Sequence, residues 1–352
     1  MNAKTIHEPD KSIPMTSVMW VRNVVDALTE SGLDGMALSN DAGIPSAVYG
    51  ISEAGVPAQN IARLWDLAMA VSGKPDIGLI AAGHFRPSSL DTIGYLMMSS
   101  DALLEAIKRG VRFHGAHSTA THTSLTQLDD GYRLEFHIMD GIVDVQRQNH
   151  DFITSCLLKF FRFMTGQDLR PIRAEFLYPR PEDQKLHAQV FQCPLAFDAA
   201  RTSLHFSNAD LARPVITANP LLVAMHEQAA ARRMQQFGQS QATQWVRQLI
   251  VQALPDGEPS RERVAESMAI SPRNLQRQLS VEGTSFSKLL DEIRRNLSDH
   301  YLANARLALT DIAYLLGFSE QSTYTRAAKR WYGKAPNKIR SGMLQGGVSN
   351  PD

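Results

Sequence analysis

The sequence predicts a chain in two parts: an α+β N-terminal half, and an all-α C-terminal part in which a linker helix joins two similar helical pairs. Three observations predict this. Up to about residue 220, helical and extended patterns are interleaved without regular β-α-β alternation, which points to α+β. Beyond that point no strand pattern occurs. Within residues 310–333, Ile312, Ala313 and Leu316 repeat the spacing of Val264, Ala265 and Met268 in residues 260–283, at an offset of 48. A length of 352 residues suits about two domains, and an apolar fraction of 43% is enough for a core in each.

The elements follow in order. Residues 1–15 are polar, lack the apolar stretch of a secretory signal, and are expected to be poorly ordered. Residues 16–40 carry a helical stripe of Val18, Trp20, Val21, Val24, Val25, Leu28 and Leu33. Residues 57–72 repeat it with Ile61, Leu64, Trp65, Leu67, Ala68 and Val71, and Gly73-Lys74-Pro75 ends that helix. Residues 90–100 lead into a helix over 101–114. Residues 118–128 and 131–138 alternate polar and apolar around Asp129-Asp130-Gly131, the pattern of a β-hairpin. An apolar helix over 150–165 stops at Gly166. A strand at 174–178, a helix over 183–192, and short strands at 195–197 and 202–206 complete this half. Residues 221–254 read as helix with a break at Gly238, and Pro255-Asp256-Gly257-Glu258-Pro259 as a turn.

The repeated segments carry the most information. In the first, Val264, Ala265 and Met268 share one helical face, and Ala269 and Ile270 make a tight turn. Ser271 is a good helix cap and Pro272 suits the first helical position, where its missing N–H costs little. Leu275 and Leu279 face inward at i, i+4, leaving Arg273, Asn274, Gln276 and Arg277 outward. In the second, Ile312, Ala313 and Leu316 match the first face, Gly317 permits the turn and Phe318 plugs it. Thr310 and Ser319 are read as caps. Tyr324 and Ala328 face inward; Gln321, Ser322, Thr325, Arg326 and Lys329 face out. Each segment is a helix-turn-helix, and the stripe Phe286, Leu289, Leu290, Ile293, Leu297 and Tyr301 predicts a helix over 286–302 between them. Two recognition helices about 34 Å apart can enter successive major grooves of DNA. Arginine pairs with guanine and glutamine or asparagine with adenine, so the outward set suits base reading. Lys329, Arg330, Lys334, Lys338 and Arg340 suit phosphate contacts, and Ser271 and Ser319 are assigned with them.

Net charge at first argues against a nucleic-acid partner, because 36 Lys+Arg balance 36 Asp+Glu. The balance is a cancellation. Residues 1–234 hold 21 basic and 25 acidic side chains, residues 235–352 hold 15 and 11, and within 270–340 the ratio is 12 to 6.

Ser271-Pro-Arg-Asn-Leu-Gln-Arg-Gln-Leu279, Gly283-Thr-Ser-Phe286, Leu316-Gly-Phe-Ser319, Arg326-Ala327, Lys329-Arg330 and Gly333-Lys-Ala-Pro336 with Arg340 resemble the AraC/XylS-type DNA-binding domain over residues 240–341. Two positions depart from the family pattern: Ala269 stands where glycine is common, and Ala328 where phenylalanine is common. Carried over by position, the resemblance implies base reading by Arg273, Gln276 and Arg277 and by Gln321, Ser322, Thr325 and Arg326. Gly94-Tyr-Leu-Met-Met-Ser-Ser100, Arg170-Pro171, Phe191 to Pro194 with Phe197, and Leu211 to Pro214 look like the effector domain called arabinose-binding in one branch of that family. This implies a small-molecule sensor with a dimerisation surface; the domain's name does not imply a sugar.

The expected division is therefore a disordered N-terminus over 1–15, an effector-binding and dimerisation domain over 16–235, a double helix-turn-helix domain over 236–341, and a disordered tail over 342–352. The expected function is an effector-responsive transcriptional regulator, in the sense of an activator by resemblance. Its expected partners are double-stranded promoter DNA, RNA polymerase by resemblance, an unidentified small effector and a second copy of the chain. No enzymatic activity, cofactor or membrane association is expected. Two cysteines, Cys156 and Cys193, build no disulfide framework or four-cysteine zinc site and fit a reducing cytoplasm, and no apolar run is long enough for a transmembrane helix; a bacterial cytoplasmic protein, nucleoid-associated when bound, is what the resemblance implies. His114, His117 and His122, with His137 and His150 nearby, are read as surface or packed side chains in preference to a metal site. Asp140, Asp144 and Asp151 are read as a solvated face. Met97-Met98 and the cluster Phe160 to Phe163 are read as core, with an apolar effector pocket as the alternative use. A DNA-targeted repair protein or enzyme with a fused helix-turn-helix needs an activated cysteine, for which no Cys cluster exists. An architectural DNA binder without an effector is the third reading.

Overall fold

The structure, a computed structural model, describes residues 14–51, 54–138, 147–239, 241–268 and 270–345. Strand β1 (Met15–Ser17) leads into α1 (Val18–Glu30), which is capped by Ser17 and buries Val18, Val21, Val24, Val25 and Leu28. Helix α2 (Gly35–Asp41) follows, and β2 (Gly55–Pro57) pairs antiparallel with β1. Then come α3 (Ala58–Ser72), α4 (Ile77–Ala82), α5 (Asp91–Met98) and α6 (Leu103–Arg112). The predicted hairpin is β3 (Thr121–Gln127) and β4 (Gly131–Ile138), with Leu125 opposite Leu134. Helix α7 (Arg147–Thr165) is followed by β5 (Arg173–Glu175), α8 (Lys185–Phe191), β6 (Leu195–Ala196), β7 (Thr202–Ser207), α9 (Asn208–Leu211) and α10 (Pro220–Gln239).

The five strands form one sheet in the order β3-β4-β7-β5-β6, antiparallel except for the β5–β6 pair. Its register lines up Leu134, Leu204 and Ala174 across the strands, and all three are buried. Helix α7 packs on that face, with Phe161 edge-on to Phe206 at 5.7 Å.

The C-terminal part is helical among the described residues: α11 (Gln241–Ala253), α12 (Arg261–Ser267), α13 (Pro272–Val281), α14 (Phe286–Leu302), α15 (Leu309–Leu315), α16 (Gln321–Tyr332) and α17 (Pro336–Gln345). The chain is thus α+β in its N-terminal half and all-α beyond. No helix among the described residues is long and apolar enough to cross a membrane. The two parts share one continuous apolar core. Helix α11 packs on β2 and on the 3₁₀ turn Ser46–Gly50, and Gln252 Nε2 donates to Gly43 O at 2.8 Å.

Several expectations are corrected. Residues 16–40 are two helices, because Gly32 takes a left-handed φ of +93° and Asp34 caps a second start. Residues 91–98 are already helical. Met15, assigned to a disordered tail, opens β1 and is 1% exposed. At the other end α17 continues through residue 345. Helix α10 runs through Gly238 to Gln239, so Gly238 does not interrupt it, and α11 begins at Gln241; residue 240 lies outside the described residues, as do residues 1–13 and 346–352.

Candidate nucleic-acid interface and internal cavity

Helices α12 and α13 form the first pair. Ser260 Oγ accepts from Arg263 N–H and Ser271 Oγ from Asn274 N–H, each at 3.2 Å, with Pro272 in the first helical position. The turn is closed by Ile270 N–H donating to Ala265 O at 3.0 Å. The turn residue Ala269 lies outside the described residues. Leu275 and Leu279 are buried, which turns the opposite face outward: Arg273 and Arg277 are exposed, Asn274 and Gln276 half-buried. Arg277 donates to Asn274 Oδ1 at 2.9 Å and Gln276 to Ser280 Oγ at 3.3 Å.

Helices α15 and α16 form the second pair. Ile312, Ala313 and Leu316 are buried, and Phe318 N–H donates to Ala313 O at 2.9 Å. This bond is the counterpart, 48 residues on, of the one from Ile270 to Ala265. Gly317 has φ +69°, and a Cβ built there would meet Gly257 O at 2.7 Å. Tyr324 and Ala328 are fully buried, and Tyr324 OH pairs with Ser298 Oγ at 2.8 Å. Gln321, Ser322 and Arg326 are exposed and Thr325 is half-buried.

The predicted caps of this pair are wrong by a residue or two. Ala308, not Thr310, holds the cap position of α15, and Asp311 reaches back to accept from Ala308 N–H at 3.3 Å. Glu320, not Ser319, precedes α16, with extended φ of −144°. The turn after Phe318 is one residue longer than the turn after Ile270. From there the two helices correspond at an offset of 49, which pairs Leu275 with Tyr324, Leu279 with Ala328 and Arg277 with Arg326. Both arginines donate to the side chain three residues earlier, Arg326 to Thr323 Oγ1 at 3.2 Å.

Arg294 on α14 fixes the second pair, and sequence reasoning missed it. It is buried, donates to Leu316 O at 2.8 Å and Gly317 O at 2.9 Å, and lies 4.1 Å from the Phe318 ring centre. These carbonyls end α15 and would otherwise lack helical partners. Burial pulls the guanidinium below its usual range, and Glu258 opposes that pull. Among the candidate phosphate contacts, Ser271, Ser319, Lys329, Arg330, Lys334 and Lys338 are exposed, and Arg330 is ion-paired with Asp291. Arg340 differs: it is half-buried, and its Nε and Nη2 have no hydrogen-bond partner among the described residues.

In the N-terminal half, residues of α1, α3, α5, α6, α7 and the β3–β4 hairpin line a cavity of about 150 Å³ that opens to solvent. The five histidines noted in the sequence, His114, His117, His122, His137 and His150, all line it. Sequence clustering is the signal that could have found it, but their convergence depends on three separate elements. His114 pairs with Thr121 Oγ1 at 2.9 Å, and His137 with Ser124 Oγ at 3.1 Å; His122 stacks on His137 at 4.4 Å. Burial pushes His114 and His150 down to about 4 and His117 to about 3, so these rings are neutral at pH 7. No set of His, Cys, Asp and Glu among the described residues is arranged to hold a metal. Met97 and Phe161 also line the cavity, whereas Phe160 is in the core and Phe163 is exposed.

Asp151 corrects another expectation. It is completely buried, not solvated, because Tyr178, His187 and Arg147 from three directions bond its carboxylate. Asp140 and Asp144 lie outside the described residues. Neither cysteine is an activated nucleophile: burial raises the Cys156 thiol well above its usual range and Cys193 to about 11.

Helix α10 packs on α5 and on the 3₁₀ turn His114–Ala116, two elements that also contribute residues to the cavity lining. Ala230 packs against Leu96 and Phe113, and Met234 lies against Gly115. His226 pairs with Ser99 Oγ at 2.9 Å, Glu227 accepts from Arg109 at 3.2 Å, and Arg233 bonds Ser17 Oγ and Asp91. Just beyond its end, the Glu282 carboxylate at the end of α13 accepts from Ala242 N–H and Thr243 N–H at the start of α11.

Comparison with known proteins gives two family matches. Residues 32–215 match the arabinose-binding domain of AraC transcription regulators, N-terminal, and residues 264–342 match a helix-turn-helix domain. The ornithine utilization regulator of Pseudomonas aeruginosa is 29% identical over 331 residues, 93% of this chain and 96% of that protein. The HTH-type transcriptional regulator VirS of Mycobacterium tuberculosis is 26% identical over 330 residues, 92% of this chain and 95% of that one. The HTH-type transcriptional activator RhaS of Escherichia coli O139:H28 is 33% identical over 82 residues, 23% of this chain and 30% of that one.

Proposed function

Because the chain belongs to the AraC-type transcription regulators with an N-terminal arabinose-binding domain, we propose that it is an effector-responsive transcriptional activator that reads promoter DNA with two helix-turn-helix units. The observation that carries the double reading is the repeated turn bond, Ile270 to Ala265 and Phe318 to Ala313, each followed by a helix with a basic, amide- or hydroxyl-bearing outer face. Base contacts are assigned to Arg273, Asn274, Gln276 and Arg277 on α13 and to Gln321, Ser322, Thr325 and Arg326 on α16. Phosphate contacts are assigned to Ser271, Ser319, Lys329, Arg330, Lys334, Lys338 and Arg340. Arg340 reaches a phosphate only by turning out of its half-buried position.

The activator sense draws on the name of the Escherichia coli relative, which matches within the C-terminal part. RNA polymerase as a partner, homodimerisation and a cytoplasmic location rest on the family resemblance alone. The functional boundary is placed at the break after α10. Effector occupancy of the cavity acts on α5 and on the 3₁₀ turn His114–Ala116, both in contact with α10, and α10 leads to α11. Such a ligand shifts the molecule only as far as it binds one arrangement of α10 better than another. The test is selection of bound sites from a random duplex library, followed by affinity at rising salt. A site with two separated boxes and a steep salt slope is expected. A single box would remove the second reader. Arg277→Ala and Arg326→Ala should each cost about 1–3 kcal/mol on the selected site and relax preference in one box. Equal weakening on all sequences would reassign them to phosphate.

A further inference from the structure

We propose that the cavity of the N-terminal half takes a compact, uncharged ring compound bearing one O–H or N–H donor, of the phenol or indole kind. This deepens, and rests on, the reading of the N-terminal half as the effector domain. Size is the first argument. A volume of about 150 Å³ matches that of an engineered apolar cavity that holds benzene, so one compact ring fits within it. Lining is the second. Trp20, Ile93, Met97, Phe136, Leu157 and Phe161 present apolar and aromatic surface, which favours a ring over a polyol.

The polar groups narrow the choice. Asn149 Oδ1 and His150 Nε2, neighbours on α7 and both in the lining, are buried with no hydrogen-bond partner among the described residues. His150 is 3% exposed. An amide oxygen only accepts, so a partner for it must donate; a neutral imidazole nitrogen takes either role. A single hydroxyl or ring N–H answers Asn149, and a hydroxyl serves His150 as well.

Charge is excluded on the same wall. No Lys, Arg, Asp or Glu is among the described lining residues. Arg233, the cation that acts on His117, sits on α10 and is paired with Asp91. With His150 held at about 4, its protonation at pH 7 is disfavoured about 1000-fold. A carboxylate seated beside Asn149 and His150 therefore meets no ready counter-charge there.

The test uses the full chain at pH 7 with phenol, toluene and benzoate, read by thermal shift and calorimetric titration. Phenol should bind about tenfold more tightly than toluene, the yield of one buried hydrogen bond, and benzoate more weakly than either. Asn149→Leu should bring phenol down to the level of toluene and leave toluene unchanged. Benzoate binding as well as phenol overturns the uncharged assignment. Toluene equalling phenol, or an indifferent Asn149→Leu, overturns the donor assignment. Binding by none of the three overturns the ligand class. Filling the cavity with Ala62→Phe, or with the milder Ile153→Phe if the first unfolds, separates this from failure of the sensor reading. A folded, DNA-binding filled variant that transcribes from the selected site as the unaltered chain does sinks the sensor itself.

Discussion

Arg294 shows how much one side chain settles. It closes the end of α15, covers the Phe318 ring and ties both to α14. Arg294→Met should lower stability by about 2–4 kcal/mol in urea unfolding, because two carbonyls and Glu258 lose their charged partner. Arg294→Lys should recover only part of that, since an ammonium cannot span two carbonyls and a ring in one plane. A loss below about 0.5 kcal/mol for the methionine variant would mean water replaces the guanidinium without penalty. The cavity histidines set a second residue-scale expectation. For His114, His117 and His150 the folded pKa values lie near 3–4, below the ordinary 6.5, so the unfolded chain binds more protons as pH falls. Stability contributed by the neutral rings is full above about pH 6.5 and declines from there down towards pH 4. At pH 5.5 the loss is about 1 kcal/mol for each such ring. A Tm that stays level between pH 7 and 5 would show that these rings are hydrated or already charged when folded.

Among the elements, the turns decide how the helices sit. Gly317 combines a left-handed φ with close approach to Gly257. Gly317→Ala should therefore cost more than the ~1 kcal/mol of backbone strain alone and selectively weaken the second box of the selected DNA, measured by footprinting. Unchanged protection of that box would disconnect the turn from reading. The elements also show what the sequence can and cannot disclose. The β3–β4 hairpin was legible because an Asp-Gly turn and alternating flanks are contiguous. The helices α3, α7 and α14 were legible because each carries a contiguous apolar stripe, and α3 and α7 are followed directly by a glycine stop. Strands β1 and β2 were not, since three-residue strands separated by α1 and α2 carry no periodicity. Asp151 was misread for a related reason: Arg147 pairs with it from the same helix, but Tyr178 and His187, which complete its burial, stand 27 and 36 residues away. Of the outward residues on α13 and α16, the side was legible from Leu275, Leu279, Tyr324 and Ala328. The helix starts were less so, because a serine before a polar run resembles a cap whether or not the chain bends there.

At the scale of the whole molecule, the acidic and basic halves of a neutral chain share one core, and α11 lies against both. If the acidic half restrains the basic one, the fragment 235–352 should bind non-specific duplex DNA more tightly than the full chain at equal salt. Equal binding in a gel-shift titration would leave the restraint without support. The extra residue in the turn before α16 also has a consequence for anyone exchanging parts between the two units. Moving the outer face of α13 onto α16 succeeds only at an offset of 49. At 48, every transplanted side chain is rotated by about 100° around the helix axis, so Gln276 would fall on the buried position of Tyr324 against Ser298, and Arg277 on the half-buried position of Thr325. An exchange between the two helices therefore has to count from Leu275 and Tyr324 and not from the turns.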